Sequence, residues 1–162
     1  LSNYMRTFLS FNSKFDKCIV KGEEPSFSPL EFEGWDLFNG KGRCAECHTG
    51  VNFTNQTFEN NGTKVAYSDT GRARITLKTQ DHGKFRVPTL RNVEVTAPYM
   101  YDGSYPTLEA VLANYGQGGK GHWNQSSIVS DIRLNQNEQQ AIIAFLKTLT
   151  DNEFISNEKF KP

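Results

Sequence analysis

Residue types that often carry chemistry are scarce here. In 162 residues, cysteine and histidine occur three times each and methionine twice. Three cysteines imply no disulfide framework, and no second ligand pair accompanies them to build a structural zinc site. Neither sign of charge is in excess: 18 basic and 18 acidic side chains cancel, without a basic stripe or a block of like charge. That argues against a nucleic-acid or membrane-binding surface. No apolar run is long enough to span a bilayer, and no repeat or low-complexity segment occurs. Leu1 lacks an initiator Met, a cationic segment and an apolar export segment, so this start is expected to be a cut or processed end. The length suits one domain with a real core.

Against that background stands Cys44-Ala45-Glu46-Cys47-His48, a C-x-x-C-H element. On a helix these two thiols and the imidazole fall at i, i+3 and i+4 and leave one face. That is the geometry for covalent haem attachment, with Cys44 and Cys47 adding to the two vinyl groups and His48 supplying the proximal nitrogen. A thioredoxin-like pair would not need the histidine. Bacterial attachment of this kind takes place outside the cytoplasm, so an exported, periplasmic protein is expected. The remaining thiol, Cys18, reads as a small buried or half-buried residue. Twelve phenylalanines suit a domain that wraps an apolar macrocycle, and equally an ordinary aromatic core.

Along the chain, Tyr4, Phe8, Phe11 and Phe15, with Met5 and Leu9 beside them, predict an amphipathic helix whose stripe packs on a core or on a neighbouring domain. Residues 21–27, with Gly22 and Pro25, read as a linker. Residues 1–27 are therefore expected to be a connecting helix and linker, and 28–162 the domain proper. Ser28-Pro29-Leu30-Glu31 supplies an N-cap, a Pro at N1 and a Glu at N3 for a helix presenting Phe32, Trp35 and Phe38. Trp35 is expected to be an ordinary core residue, although it lies near the haem motif in sequence. Residues 50–84, rich in Asn, Thr and Gly, predict a long ordered loop with short strands at most, suited to covering a haem edge or a neighbouring domain.

Pro88, Pro98 and Asp102-Gly103 keep 85–104 out of helix. Within it, Arg86 and Arg91 are candidates to pair with haem propionates, since guanidinium grips carboxylate as a fork. Thr107 caps a helix with Leu108, Val111, Leu112 and Tyr115 on one face, ended by Gly116, Gly118 and Gly119. A last helix opens at Asn135 and Glu138 and buries Ala141, Ile142, Phe145, Leu146 and Leu149. Met100, Tyr115, His82 and His122 are the candidates for a sixth iron ligand. The two histidines, in glycine-flanked loops, are expected to be exposed.

The run from Phe85 to Ser104, the Thr107-Leu108-Glu109 helix start, the glycines after Tyr115 and the closing 143–150 together resemble the C-terminal half of bacterial di-haem cytochrome c peroxidases, a superfamily that includes MauG. The resemblance covers essentially the whole chain. It implies an all-α, cytochrome-c-like haem domain with long ordered loops and little strand, holding one haem c. Its role would be electron transfer to an N-terminal peroxidatic haem domain of the same protein, which reduces hydrogen peroxide. Electrons would come from a small donor protein of the cytochrome or cupredoxin type. A MauG-like oxidase is the sister reading, a homodimer stays open, and a stand-alone single-haem carrier is the alternative from another class.

The resemblance also bears on ligands. The family's methionine ligand falls at the end of the helix after Thr-Leu-Glu, where this chain has Tyr115, as MauG-like members do. Phenolate favours ferric iron and a low potential, whereas thioether favours ferrous iron. Met100 is the runner-up, by analogy with small cytochromes c. Backbone carbonyls at Thr96 and Pro98 match a family calcium site between domains, and carbonyl oxygens suit that hard cation. Tyr101 stands where most members have histidine.

Overall fold

The computed structural model describes residues 2–24 and 26–160; the expected processed end at Leu1 and the linker residue Pro25 lie outside them. The α-helices are α1 (Ser2–Met5), α2 (Pro29–Asn39), α3 (Ala73–Thr76), α4 (Leu108–Gly116), α5 (Ser127–Ser130), α6 (Gln136–Lys147) and α7 (Asn152–Ile155). Two short strands, β1 (Phe58–Glu59) and β2 (Phe85–Arg86), pair antiparallel, Phe58 opposite Arg86. The long loop holds the strand β1 and, beyond the short strands expected, the helical turn α3; β1 pairs with β2 just past the end of the loop.

The three longer helices begin where their caps predict. Ser28 accepts from the Glu31 amide while Glu31 accepts from the Ser28 amide at 2.6 Å. Asn135 and Glu138 form the same reciprocal box on α6, and the Thr107 hydroxyl accepts from the Ala110 amide at 3.2 Å. Such caps are worth about 0.5–2 kcal/mol each. On α4 they aim Leu108, Val111 and Leu112 inward, and on α6 Ala141, Ile142, Phe145 and Leu146. Phe145 is fully buried and its ring meets those of Phe15, Trp35, Phe38 and Phe53 at 5.0–6.2 Å. Trp35 thus packs half-buried against the core. Phe32, on the same helix, is 52% exposed, contrary to the helical pattern.

Helices α2 and α6 meet at Gly34, where a Cβ would lie 1.9 Å from the Ala141 carbonyl oxygen. Gly34→Ala would gain about 1 kcal/mol of helix propensity. Forcing the helices apart costs more, near the upper end of the ~1–3 kcal/mol of overpacked cores. We therefore expect a net loss of stability, measured as a lower midpoint in urea unfolding.

The N-terminal segment departs from the expected helix over residues 4–15. Helix is confined to Ser2–Met5, with a single π-helical stretch at Asp16–Val20. Asn12 N–H donates to Asp151 and Phe15 N–H to the Thr148 carbonyl, while Ser13 N–H donates locally to Asp16. The aromatic stripe also splits. Phe15 enters the core, while Phe8 packs at the surface on Phe154 and Phe160.

Candidate haem site

The C-x-x-C-H element forms one tight turn rather than a long helix. Cys44–Glu46 is 3-10, and the His48 amide closes back on the Cys44 carbonyl at 2.8 Å. Gly42 lets this turn approach α2: a Cβ there would lie 2.7 Å from the Leu37 carbonyl and 3.2 Å from Cys44 Sγ. Burial pushes the Cys44 thiol up to about 12. Burial also raises Cys47, with Glu59 and Glu46 adding to it. Both sulfurs are thus free neutral thiols, the opposite of the lowered pKa that drives a dithiol redox pair.

His48 Nδ1 lies 3.0 Å from the Phe53 carbonyl oxygen. That contact assigns the ring proton to Nδ1 and leaves the lone pair on Nε2. Burial lowers the His48 pKa, outweighing the carbonyls of Phe53 and Pro88. The result is a neutral imidazole, the form that binds iron.

This turn borders a cavity of about 390 Å³ walled by Phe38, Leu108, Val111, Leu112, Ile142 and Leu146. Its size falls within the ~300–1,000 Å³ of small-molecule and cofactor sites. Cys44, His48 and Tyr115 line both this cavity and an adjoining lobe of about 120 Å³, where Cys47 joins them. Tyr115 sits in the last turn of α4, as its spacing predicts. Its hydroxyl accepts from Asn61 Nδ2 at 3.1 Å, and the same amide nitrogen lies 3.2 Å from Met100 Sδ. Both leading candidates for the distal position therefore share one cavity and one hydrogen-bond donor. Burial raises the Tyr115 phenol, only partly countered by Asn61. Lys64 pairs with Asp102, joining the loop that carries Asn61 to the turn that carries Met100.

The other residues singled out in the sequence separate. Arg86 lines the cavity and is exposed, with no ion pair among the described residues. Arg91 does not line it. Its guanidinium is buried in a two-pronged pair with Asp16, 2.9 Å at both contacts, and also donates to the Val51 carbonyl. Thr96 and Pro98 border the cavity, the latter after a cis peptide bond. The described residues contain no cluster of three or more His, Cys, Asp or Glu side chains suited to a metal ion. His122 is 5% exposed rather than surface-lying, and His82 is half-buried. Asn60 and Asn124 hold the first of these from loops that periodicity cannot place. Neither histidine lines the cavity. Asn61, the donor shared by Tyr115 and Met100, carries no sequence signal beyond the Asn-rich run within residues 50–84.

Two neutral thiols and a neutral imidazole on one turn, beside an apolar cavity holding a tyrosine and a methionine, fit a c-type haem and define a haem-binding module. Residues 33–150 match the family model for cytochrome c, and the chain belongs to that family. Membership implies a covalent c-type haem. The chain is 33% identical to a cytochrome c551 peroxidase of Nitrosomonas europaea, over 94% of this chain and 43% of that protein. It is 34% identical to the methylamine utilization protein MauG of Methylorubrum extorquens, over 92% and 42% respectively. A crystal structure of a MauG-like protein associated with microbial copper homeostasis superimposes with a TM-score of 0.86 at 35% identity, covering 94% of this chain and 52% of that one. The diheme peroxidase BthA of Burkholderia thailandensis shares the fold, with a TM-score of 0.73 at 22% identity. The chain thus spans less than half the length of these curated relatives. No helix among the described residues is long and apolar enough to cross a membrane.

Proposed function

We propose that this chain is the C-terminal electron-transfer domain of a periplasmic di-haem cytochrome c peroxidase or MauG-like oxidase. Residues 28–162 hold one haem c, and the segment ahead of them leads to an N-terminal haem domain where peroxide is reduced. The observation that carries the reading is the convergence of Cys44, Cys47, His48 and Tyr115 on one lobe adjoining the apolar cavity. Relatives in two branches, a peroxidase and MauG, support it. The electron donor is a small cytochrome or cupredoxin, and the Thr96 and Pro98 carbonyls are the places where calcium would bind.

When bound, the haem supplies a one-electron redox centre. The protein's own groups set its surroundings. Cys44 and Cys47 anchor it, and the Phe53 carbonyl orients His48. Arg86, at the cavity wall, is placed to pair with a propionate. Tyr115 would be the second protein ligand to the iron, a hard oxygen that favours the ferric state. Met100 is the second reading, because its sulfur shares the Asn61 donor with Tyr115.

Potential and spectrum separate the two. Tyr115→Phe is expected to change the ferric absorption spectrum and raise the reduction potential, while Met100→Leu leaves both near the parent values. The reverse pattern would assign the ligand to Met100.

A further inference from the structure

A file of rings runs from the cavity wall to the protein surface and has no part in the ligand set. Phe85 and Tyr101, which line the cavity, stack with centroids 3.9 Å apart and planes 9° apart. Buried Tyr67 lies 6.1 Å from each of them. On its other side, Tyr67 meets His122 at 5.0 Å, and His122 lies 5.3 Å from Trp123. His82 stacks on His122 at 5.8 Å and lies 6.1 Å from Trp123. Every step beyond the first stacked pair falls within the ~4.5–7 Å of contacting aromatic rings.

The middle of the file is locked. Asn60, fully buried, accepts from the Tyr67 hydroxyl at 3.0 Å, and its amide nitrogen sits 3.0 Å from His122 Nδ1. The Asn124 amide also donates to that Nδ1. This file ends in an indole that is 65% exposed.

We propose that Trp123 is the surface entry point for electrons, linked to the haem cavity through His122, Tyr67 and the Tyr101–Phe85 stack, and that its partner is a one-electron donor protein. The proposal rests on the cavity being a haem site. Tyr67, whose hydroxyl donates to the Asn60 amide oxygen, serves as a bridge between the rings on either side of it. Indole needs no base to give up an electron, so Trp123 is where the electron vacancy rests. Reduction of one hydrogen peroxide with two protons to two waters takes two electrons. Each leaves Trp123 singly, and the docked donor, oxidised by one electron at each step, refills the indole. The protons come from solvent, and no bond within the file forms or breaks.

The test uses the full-length, haem-loaded protein treated with hydrogen peroxide in the absence of donor, followed by peptide mass spectrometry. We expect oxygen addition at Trp123, with none at Trp35 and none at Trp123 in the Cys44→Ala, Cys47→Ala protein, which lacks haem in this domain. Equal addition without that haem would show mere exposure and overturn the proposal, as would an unmodified Trp123 in the loaded protein. Tyr67→Leu should lose the modification and Tyr67→Phe should keep it. Because Tyr67 is buried, Trp123→Phe at the exposed end gives a second measure. It should slow haem reduction by the donor protein while leaving reduction by dithionite unchanged; unchanged rates with both reductants would contradict the proposal. Absence of covalent haem absorbance in the parent would refute the haem reading itself, and the proposal with it.

Discussion

The double substitution Cys44→Ala, Cys47→Ala is expected to abolish covalent haem, leaving a polypeptide of about its own 18.3 kDa mass and no haem absorbance after denaturation. Each thioether needs its own sulfur, so either single variant should retain one bond and the pair none. His48→Ala is different in kind. Both sulfurs remain, so the haem should stay attached while the iron loses the nitrogen that the Phe53 carbonyl orients. Mass and spectrum together therefore separate anchoring from ligation. A double-cysteine variant that still carried haem through denaturation would remove the site assignment.

The second large effect lies in the ion pair between Arg91 and Asp16. Both side chains are almost wholly buried, and Asp16 also accepts from the Ser13 amide and hydroxyl. Removing one partner of such a pair leaves an uncompensated buried charge, which typically costs about 3–5 kcal/mol. Arg91→Ala is expected to lose that much in chemical unfolding. Replacing both partners by leucine should restore much of it, since well-packed apolar pairs often match a buried ion pair. Burial alone would raise the Asp16 carboxyl. The bonds from Arg91 and Ser13 outweigh it and hold the group below its ordinary value. For a lowered carboxylate the stabilisation is full above the unfolded-state pKa, near ~4, and drains away as pH falls through the folded value. The gap between the parent and Arg91→Ala should accordingly shrink as pH falls, because Asp16 without the guanidinium takes up its proton first in the variant. A gap independent of pH down to acid unfolding would contradict this account.

Arg91 also shows what a sequence conveys and what it withholds. Beside a haem motif, a guanidinium suggests a propionate partner, yet its carboxylate lies 75 residues away at Asp16, just past a segment that periodicity reads as helix. Local chemistry was legible. The caps at Ser28, Thr107 and Asn135, the buried faces of α4 and α6 and the C-x-x-C-H spacing each depend on neighbours within about one turn. Contacts closed by irregular loops were not. Asn61 reaching Tyr115 and Met100, and Asn60 holding Tyr67 and His122, join residues 7 to 62 positions apart through backbone with no period. The same limit applies to His122, where a glycine-flanked position suggests exposure and a buried amide partner supplies the opposite.

The central claim is that Cys44, Cys47 and His48 hold one haem in the cavity that Tyr115 lines. Its most direct test is the intact mass of the 162-residue chain, produced in a host that matures c-type cytochromes and measured under denaturing conditions with absorbance recorded on the same peak. The account predicts the polypeptide mass plus one haem, with haem absorbance coincident with the protein. A bare polypeptide mass with no such absorbance would contradict it and leave Cys44 and Cys47 as a simple pair of half-buried thiols.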